Sequence, residues 1–338
     1  MRNFAYSRAR TTEELASCLG AGAQIIAGGT ELLNWLRLGI ADVGELVDIG
    51  QLSALRGIRL AEGELQIGSL TSLKEVGEHS TVLQFAPVLA QACLSAASAQ
   101  IRHRATVGGN VLQKTRCVYF RAEAPGAKAM PWPCNRRREG SGCAALDSGN
   151  PRLALFGWTS NCVATQPSDP AVALAALDAQ VDVRGPLGAR SLPMTAFHLS
   201  QQEAERLPGA PENRLAPDEV IEVFRIPVDP ASAGSLYLKV RERASYEYAM
   251  VSVAVCVAHT GGRIGTARIA LGSVALKPWR LRQAEEALLG VDLRDDAAIS
   301  AALAAALSDA RPPAGNDFKV RLAENAILRA LKSAGRIG

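Results

Sequence analysis

The sequence predicts an α+β protein of two domains, with residues 1–200 forming the first and residues 218–338 the second. Its length of 338 residues is enough for two or three hydrophobic cores. Short strand and helix patterns alternate in the first part. In the last part strand patterns are followed by helix patterns, which is typical of an antiparallel sheet under a helical layer. A polar, proline-containing stretch at 200–217 separates the two parts as a linker or a surface excursion.

The first part is predicted to contain short elements in alternation. Apolar spacing predicts helices at 12–19, 31–38, 72–78, 87–99 and 170–177. Brief apolar runs predict strands at 24–27, 45–49, 64–68 and 181–183. Residues 101–112 are interrupted by a glycine-containing turn, and residues 115–152 are predicted to be irregular. A loop of that length inside a compact domain is usually functional or disordered.

The second part is predicted to form a sheet and then a helical layer. Strand patterns occupy 220–226, 235–243, 250–259 and 263–274. The sequence Thr260-Gly261-Gly262 between the last two strands predicts a hairpin. Helix patterns follow at 281–289, 297–308 and 320–333.

Composition excludes several classes of protein. The net charge of +4 is small for this length and the basic residues are dispersed, so a nucleic-acid-binding protein is not predicted. No apolar run is long enough for a membrane span, and the N-terminus lacks the apolar core of a signal peptide. We therefore expect synthesis in the cytoplasm without an export signal in this chain. Seven cysteines, an odd number, argue against a framework made only of disulfides.

Two glycine loops indicate a phosphate-binding function. The first, at 25–32, runs from a strand through Gly28 and Gly29 into a helix, and the second, at 105–113, contains Gly108 and Gly109. Glycines allow backbone N–H groups to approach phosphate oxygens, and a helix N-terminus adds a favourable dipole. Either loop alone is more often a plain turn. Together they could hold one pyrophosphate from two sides, whereas Rossmann and P-loop patterns do not match.

Four cysteines fall within the irregular segment. Cys117, Cys134, Cys143 and Cys162 are separated by 16, 8 and 18 residues, which matches neither short zinc knuckles nor bacterial ferredoxins. Four thiolates suffice for a 4Fe-4S cluster, and the nearby glycines and arginines suit a buried anionic centre. A surface loop with free cysteines is the alternative. Spacing alone does not distinguish zinc from iron–sulfur.

Several stretches resemble one known family. The stretches lie before, within and after the cysteine segment and also in the second domain: 27–32, 100–102, 106–110, 113–117, 133–137, 140–143, 162–165, 167–169, 239–246 and 275–280. Over nearly the whole chain they resemble the flavoprotein subunit of the xanthine dehydrogenase and carbon monoxide dehydrogenase family. The resemblance is closest to the medium subunit of the bacterial periplasmic aldehyde oxidoreductases.

The resemblance implies an FAD-binding domain of the vanillyl-alcohol-oxidase (PCMH) type in two subdomains. It also implies a 4Fe-4S insertion at about 115–165 and a C-terminal domain like that of the CO dehydrogenase flavoprotein. The cluster ligands would be Cys117, Cys134, Cys143 and Cys162, and residues 122–131 make the first interval longer than in the family. The implied FAD contacts are Ile26, Ala27, Gly28, Gly29, Thr30, Glu31, Leu32, Ile101, Thr106, Gly108, Gly109, Asn110, Leu112, Thr115, Asp169, Ile221 and Lys239.

Within that set the resemblance implies distinct roles. The two glycine loops would hold the FAD pyrophosphate, and Asp169 would bond toward the ribityl or ribose region. Ile101 and Ile221 would lie near the flavin ring. Lys239 would approach the isoalloxazine edge, where a cation can stabilise reduced, anionic flavin.

The function implied is electron transfer in an oxidoreductase, with no residue of this chain oxidising the organic substrate. The expected partners are a molybdopterin-binding large subunit and a 2Fe-2S small subunit, in a heterotrimer, together with an external electron acceptor. The resemblance also implies a periplasmic location, reached by co-export with a signal-bearing partner, the alternative being cytoplasmic. Two other functions stay open: a stand-alone flavin oxidoreductase, and a zinc-stabilised interaction protein without enzymatic activity.

Overall fold

The computed structural model describes residues 3–19, 22–123 and 131–335. Most of the stretch predicted as an insertion, 122–131, therefore lies outside the described residues. The described residues form three sheets with helices packed against them, which confirms the predicted α+β class. Within these residues no helix is both long and apolar enough to cross a membrane.

The first sheet is small and parallel. It contains β1 (Ala5–Arg8), β2 (Ala23–Ile26) and β3 (Glu45–Asp48) in the order β1-β3-β2, with α1 (Thr12–Cys18) and α2 (Leu32–Arg37) as connections. The side-chain oxygen of Thr11 accepts a hydrogen bond from the backbone N–H of Glu14, which caps α1 as the sequence indicates. Strand β2 ends at the first glycine loop, so this sheet positions that loop.

The second sheet is antiparallel and joins distant parts of the chain. Its strands are β4 (Ile58–Ala61), β5 (Glu64–Gly68), β6 (Gln180–Gly185), β7 (Gly188–Pro193) and β8 (Val220–Pro227), in the order β4-β5-β8-β6-β7. We predicted β8 as the first of the C-terminal strands, and this was wrong, because it pairs with β5 and β6. The physical reason is burial: Phe224 and Ile226 enter the core that this sheet shares with the Ala-rich helices.

Several short helices cover the second sheet or connect its strands: α3 (Leu73–Glu78), α4 (Ser80–Phe85), α5 (Pro87–Ser95), α6 (Ala99–Arg102), α7 (Val107–Val111), α8 (Asp169–Ala176), α9 (Met194–Phe197) and α10 (Gln201–Ala204). The helix predicted at 87–99 ends at Ser95. Ala97 has a φ of 48°, which no right-handed helix accommodates, and the side chain of Ser98 then caps α6.

The second glycine loop also differs from its prediction. We predicted a turn at Thr106–Asn110, but α7 begins at Val107, so both glycines lie within a helix. The side-chain oxygen of Thr106 accepts a hydrogen bond from the backbone N–H of Gly109 at 3.2 Å, which caps the helix. The loop is thus a short strand-like approach followed directly by a helical turn.

The third sheet and its helices form the C-terminal part as predicted. After α11 (Pro230–Ala233), the strands are β9 (Ser235–Val240), β10 (Val251–Thr260), β11 (Arg263–Gly272) and β12 (Trp279–Arg280). They pair antiparallel, and Gly261 and Gly262 both have positive φ in the predicted hairpin turn. The helices α12 (Arg282–Ala287), α13 (Asp296–Ala306) and α14 (Phe318–Ala334) contribute to the core on this sheet.

Candidate functional site

A cavity of about 480 Å³ lies between the first and second sheets. Residues of both glycine loops line it. The predicted site residues that line it are Ile26, Ala27, Gly28, Gly29, Thr30, Glu31, Leu32, Thr106, Gly108, Gly109, Leu112 and Ile221. The cavity opens to solvent.

Glycine is required where the two loops approach each other. A Cβ atom on Gly28 would lie 1.9 Å from the carbonyl oxygen of Arg104, just before the second loop. A Cβ atom on Gly108 would lie 2.9 Å from the Cβ of Ser69, which follows β5. The backbones of three segments therefore meet at distances that only glycine permits.

A third wall of the cavity comes from the segment predicted as a linker. Residues 211–217 fold back across the opening and lead into β8, with Pro211, Glu212 and Asn213 among the lining residues. Lys114 and Trp35 also line the cavity, and the Lys114 ammonium lies 5.4 Å from the Trp35 ring centroid. None of these residues was predicted to belong to the site, and the polar stretch 211–217 carries no local signal for a long-range contact.

Five predicted FAD-binding residues lie outside the described lining of this cavity. The side chain of Asn110 accepts a hydrogen bond from Ser168, and Ile101 packs against the main core. Thr115 is buried beside the cysteines, where its hydroxyl oxygen accepts a hydrogen bond from the backbone N–H of Cys117. The other two, Asp169 and Lys239, contact each other.

Asp169 and Lys239 form a buried ion pair that joins α8 to β9. The Lys239 ammonium donates to the Asp169 carboxylate at 2.8 Å and to the carbonyl oxygen of Ser95 at 3.1 Å. The Tyr237 hydroxyl donates to the other carboxylate oxygen at 2.5 Å. Burial and the neighbouring Asp169 charge raise the pKa of Tyr237, so it stays a donor.

We expect Lys239→Met to lower the free energy of unfolding by about 3–5 kcal/mol, because a buried carboxylate loses its only cationic partner among the residues it contacts here. Urea titration monitored by circular dichroism measures this. Lys332→Met, at the more exposed pair with Asp296, should cost about 1 kcal/mol or less. The double variant Asp169→Asn/Lys239→Met should recover much of the loss. Equal effects of Lys239→Met and Lys332→Met would contradict the assignment.

The four cysteines of the irregular segment gather around one small cavity. Cys117, Cys134, Cys143 and Cys162 all line it, and each is a free thiol. Cys134 and Cys143 are held side by side by an isolated β-bridge. Nevertheless, no three cysteine, histidine or acidic side chains of the described residues converge closely enough to hold a single metal ion.

The cavity presents hydrogen-bond donors to sulfur. The Arg136 guanidinium donates through Nε to Sγ of Cys162 at 3.2 Å. Burial raises the pKa of the Cys117 thiol to about 11, although backbone N–H groups of Phe120 and Tyr119 act in the opposite direction. This thiol is therefore protonated at neutral pH unless a bound cationic centre displaces the proton.

Two carboxylates link the large cavity to the cysteine segment. Glu31, in the first glycine loop, accepts hydrogen bonds from Arg121 and from Arg116. Glu212, on the third wall, accepts from Lys114 at 3.2 Å and from Arg136 at 2.8 Å. Both carboxylates line the large cavity, so each connects its wall to the cysteine segment.

Comparison with known proteins supports a single assignment for both domains. The chain matches the family model described as the FAD-binding domain in molybdopterin dehydrogenase over residues 2–229. It matches the CO dehydrogenase flavoprotein C-terminal domain over residues 236–334. The division between the two models falls directly after β8, in agreement with the pairing of that strand.

Relatives and solved structures match over nearly the full length. The chain is 37% identical to the aldehyde oxidoreductase FAD-binding subunit PaoB of Escherichia coli, covering 99% of both chains. It is 26% identical to the carbon monoxide dehydrogenase medium chain of Afipia carboxidovorans, covering 98% of this chain and 96% of the relative. The structure of carbon monoxide dehydrogenase from Hydrogenophaga pseudoflava superposes with a TM-score of 0.74 at 26% identity, over 98% and 97% of the two chains.

Proposed function

Since this chain belongs to the family of FAD-binding subunits of molybdenum-containing oxidoreductases, we propose that it is the FAD- and 4Fe-4S-containing electron-transfer subunit of a molybdenum-dependent aldehyde oxidoreductase. One observation carries this proposal. The cavity between the glycine loops and the four-cysteine cavity lie in one chain, and Glu31 and Glu212, which line the first, bond to arginines of the cysteine segment. Two redox groups held there would be close neighbours.

The large cavity fits FAD. Its glycine-lined end brings backbone segments together where a side chain would block an approaching phosphate, and its apolar walls suit a flavin. We propose that the two loops hold the pyrophosphate and that Ile221 lies near the ring. We propose that Asp169 bonds toward the ribityl or ribose region and that Lys239 approaches the isoalloxazine edge. Both residues lie outside the described lining of the cavity and contact each other, so a bound flavin would have to extend to their ion pair.

We propose that the four-cysteine cavity holds an iron–sulfur centre, with zinc as the alternative, since four thiolates can hold either. A cubane cluster accepts thiolates spread around a larger body. The Arg136 guanidinium and the backbone N–H groups near Cys117 are donors of the kind that stabilise such clusters.

FAD and the cluster, when bound, supply the redox chemistry, and the residues of this chain position them. Glu31 holds Arg116 and Arg121 on either side of Cys117, so the loop carrying this cysteine is fixed to the wall of the flavin pocket. Arg136 likewise fixes the loop around Cys134 to the third wall. We propose that this arrangement passes electrons from the molybdenum and 2Fe-2S subunits to an external acceptor.

The proposal is tested on the protein purified without oxygen. We expect bound FAD together with about four iron and about four acid-labile sulfide per chain. Zinc in place of iron would overturn the cluster, and absence of flavin binding would favour the interaction protein instead. Adding aldehydes to the isolated subunit should leave the flavin oxidised, since direct bleaching would identify a stand-alone flavoenzyme.

Partners and location are further parts of the proposal. The relatives include medium chains of carbon monoxide dehydrogenases. We propose a heterotrimer with a molybdopterin-binding large subunit and a 2Fe-2S small subunit, exported together to the periplasm. Co-purification from the native organism, followed by cell fractionation, tests both points. A complex recovered only from the cytoplasm would overturn the export step.

A further inference from the structure

Among the consecutive arginines 136–138, Arg136 alone contacts a thiol within the described residues. Arg137 donates to the backbone carbonyls of Phe120, Ala122 and Leu38, and Arg138 is exposed. The Arg136 side chain is 11% exposed and uses all three nitrogens: Nε to Cys162, and the two terminal nitrogens to Glu212 and Gln201. Its position is therefore set from three directions.

Glu212 is the partner that extends this contact to the flavin pocket. Its carboxylate accepts from Arg136 on one side and from Lys114 on the other, and both Glu212 and Lys114 line the large cavity. Burial raises the pKa of Glu212, but the two cations outweigh this effect and hold it below the ordinary value. A negative charge thus stands between the two sites at neutral pH.

Charges in this position act on a redox centre at Cys162. Reduction adds an electron, so a nearby buried cation favours the reduced form and raises the reduction potential, whereas an anion lowers it. The N–H···S bond acts in the same direction as the cation. Because Arg136 touches the thiol and Glu212 touches Arg136, the two charges act on one centre with opposite sign.

We propose that Arg136 and Glu212 are positioning residues that set the reduction potential of a centre ligated by Cys162. Glu212 also couples that centre to the wall of the flavin pocket. The inference rests on the proposed iron–sulfur function and deepens it. Because Arg136 is positive and Glu212 is negative, removing one charge or the other should shift the reduction potential in opposite directions.

The test is a potentiometric titration of the purified holoenzyme, with the cluster followed by electron paramagnetic resonance. Glu212→Gln keeps an oxygen that can accept from Arg136 but removes the charge, so its potential should shift in the positive direction. Arg136→Gln removes the cation and the sulfur contact, so its potential should shift in the negative direction. Arg136→Lys keeps the charge and should lie nearer to wild type than Arg136→Gln.

A matched control is available on α3. Glu78 is exposed, pairs with Lys74 and contacts neither Arg136 nor a thiol among the described residues, so Glu78→Gln changes the charge equally and should leave the potential unchanged. Iron analysis of each variant shows which clusters are intact. If Arg136→Gln assembles no cluster, Glu212→Gln and Arg136→Lys still decide the outcome.

The possible results separate the two proposals. An iron-free wild type overturns the cluster and this inference together. An iron-loaded wild type, with Glu212→Gln and Arg136→Gln at the wild-type potential or shifted in the same direction, overturns this inference alone.

Discussion

Gly28→Ala is expected to abolish flavin retention, with a flavin-to-protein ratio at least tenfold below wild type. The added Cβ would lie 1.9 Å from the Arg104 carbonyl oxygen, a distance that no packing tolerates. The first glycine loop must therefore move away from the segment that begins the second, and the pocket between them opens. Absorbance of the purified protein near 450 nm, relative to 280 nm, measures the ratio.

Gly44→Ala is the matched control. Gly44 precedes β3 in the same small sheet, and a Cβ there meets only the carbonyl oxygen of Gly22 at 3.9 Å, which is ordinary contact. It should retain flavin at the wild-type ratio.

Gly109→Val is a second pocket variant, which tests the same assignment if Gly28→Ala does not fold. Its Cβ meets only the Thr106 hydroxyl oxygen, at 3.0 Å. The valine side chain would occupy the phosphate approach, so flavin binding should weaken in a folded protein. Full flavin content in both pocket variants would refute the assignment of the loops.

Cys143→Ser is expected to remove the iron while leaving the flavin. Cys143 lines the four-cysteine cavity and does not line the large one, so only the proposed cluster would lose a ligand. Iron and acid-labile sulfide should fall from about four each per chain to background. Flavin content should stay at the wild-type level, since the glycine loops are untouched.

Cys18→Ser provides the comparison. Cys18 ends α1, in the first sheet's layer, and packs against a different core from the four cysteines. Its iron content should equal that of wild type. A Cys143→Ser protein with a full iron complement would show that the ligand set is wrong.

Local pattern predicted the parts of the site that depend on nearby residues. The first glycine loop follows a predicted strand, β2, and the hairpin at Gly261-Gly262 follows from the residue types that a tight turn requires. The cysteine segment was predicted to be irregular, and its described residues contain no regular strand or helix. These features need only a few consecutive residues to form.

Features that depend on distant partners could not be predicted in the same way. The apolar pattern of β8 identified a strand but not its neighbours, β5 and β6. Glu212 lies in a polar stretch that predicts a linker, yet its carboxylate accepts a hydrogen bond from Arg136, 76 residues earlier. The break after Ser95 depends on one backbone angle at Ala97, in a run whose composition favours continued helix.

Because β8 lies in the middle of the second sheet, that sheet cannot form completely until this strand has been synthesised. The strand fills the gap between β5 and β6, and the segment before it forms the third wall of the cavity. Until residue 227 has left the ribosome, the second sheet stays in two pieces and the cleft lacks a side. A complete cavity is therefore available only after more than half of the chain has been translated.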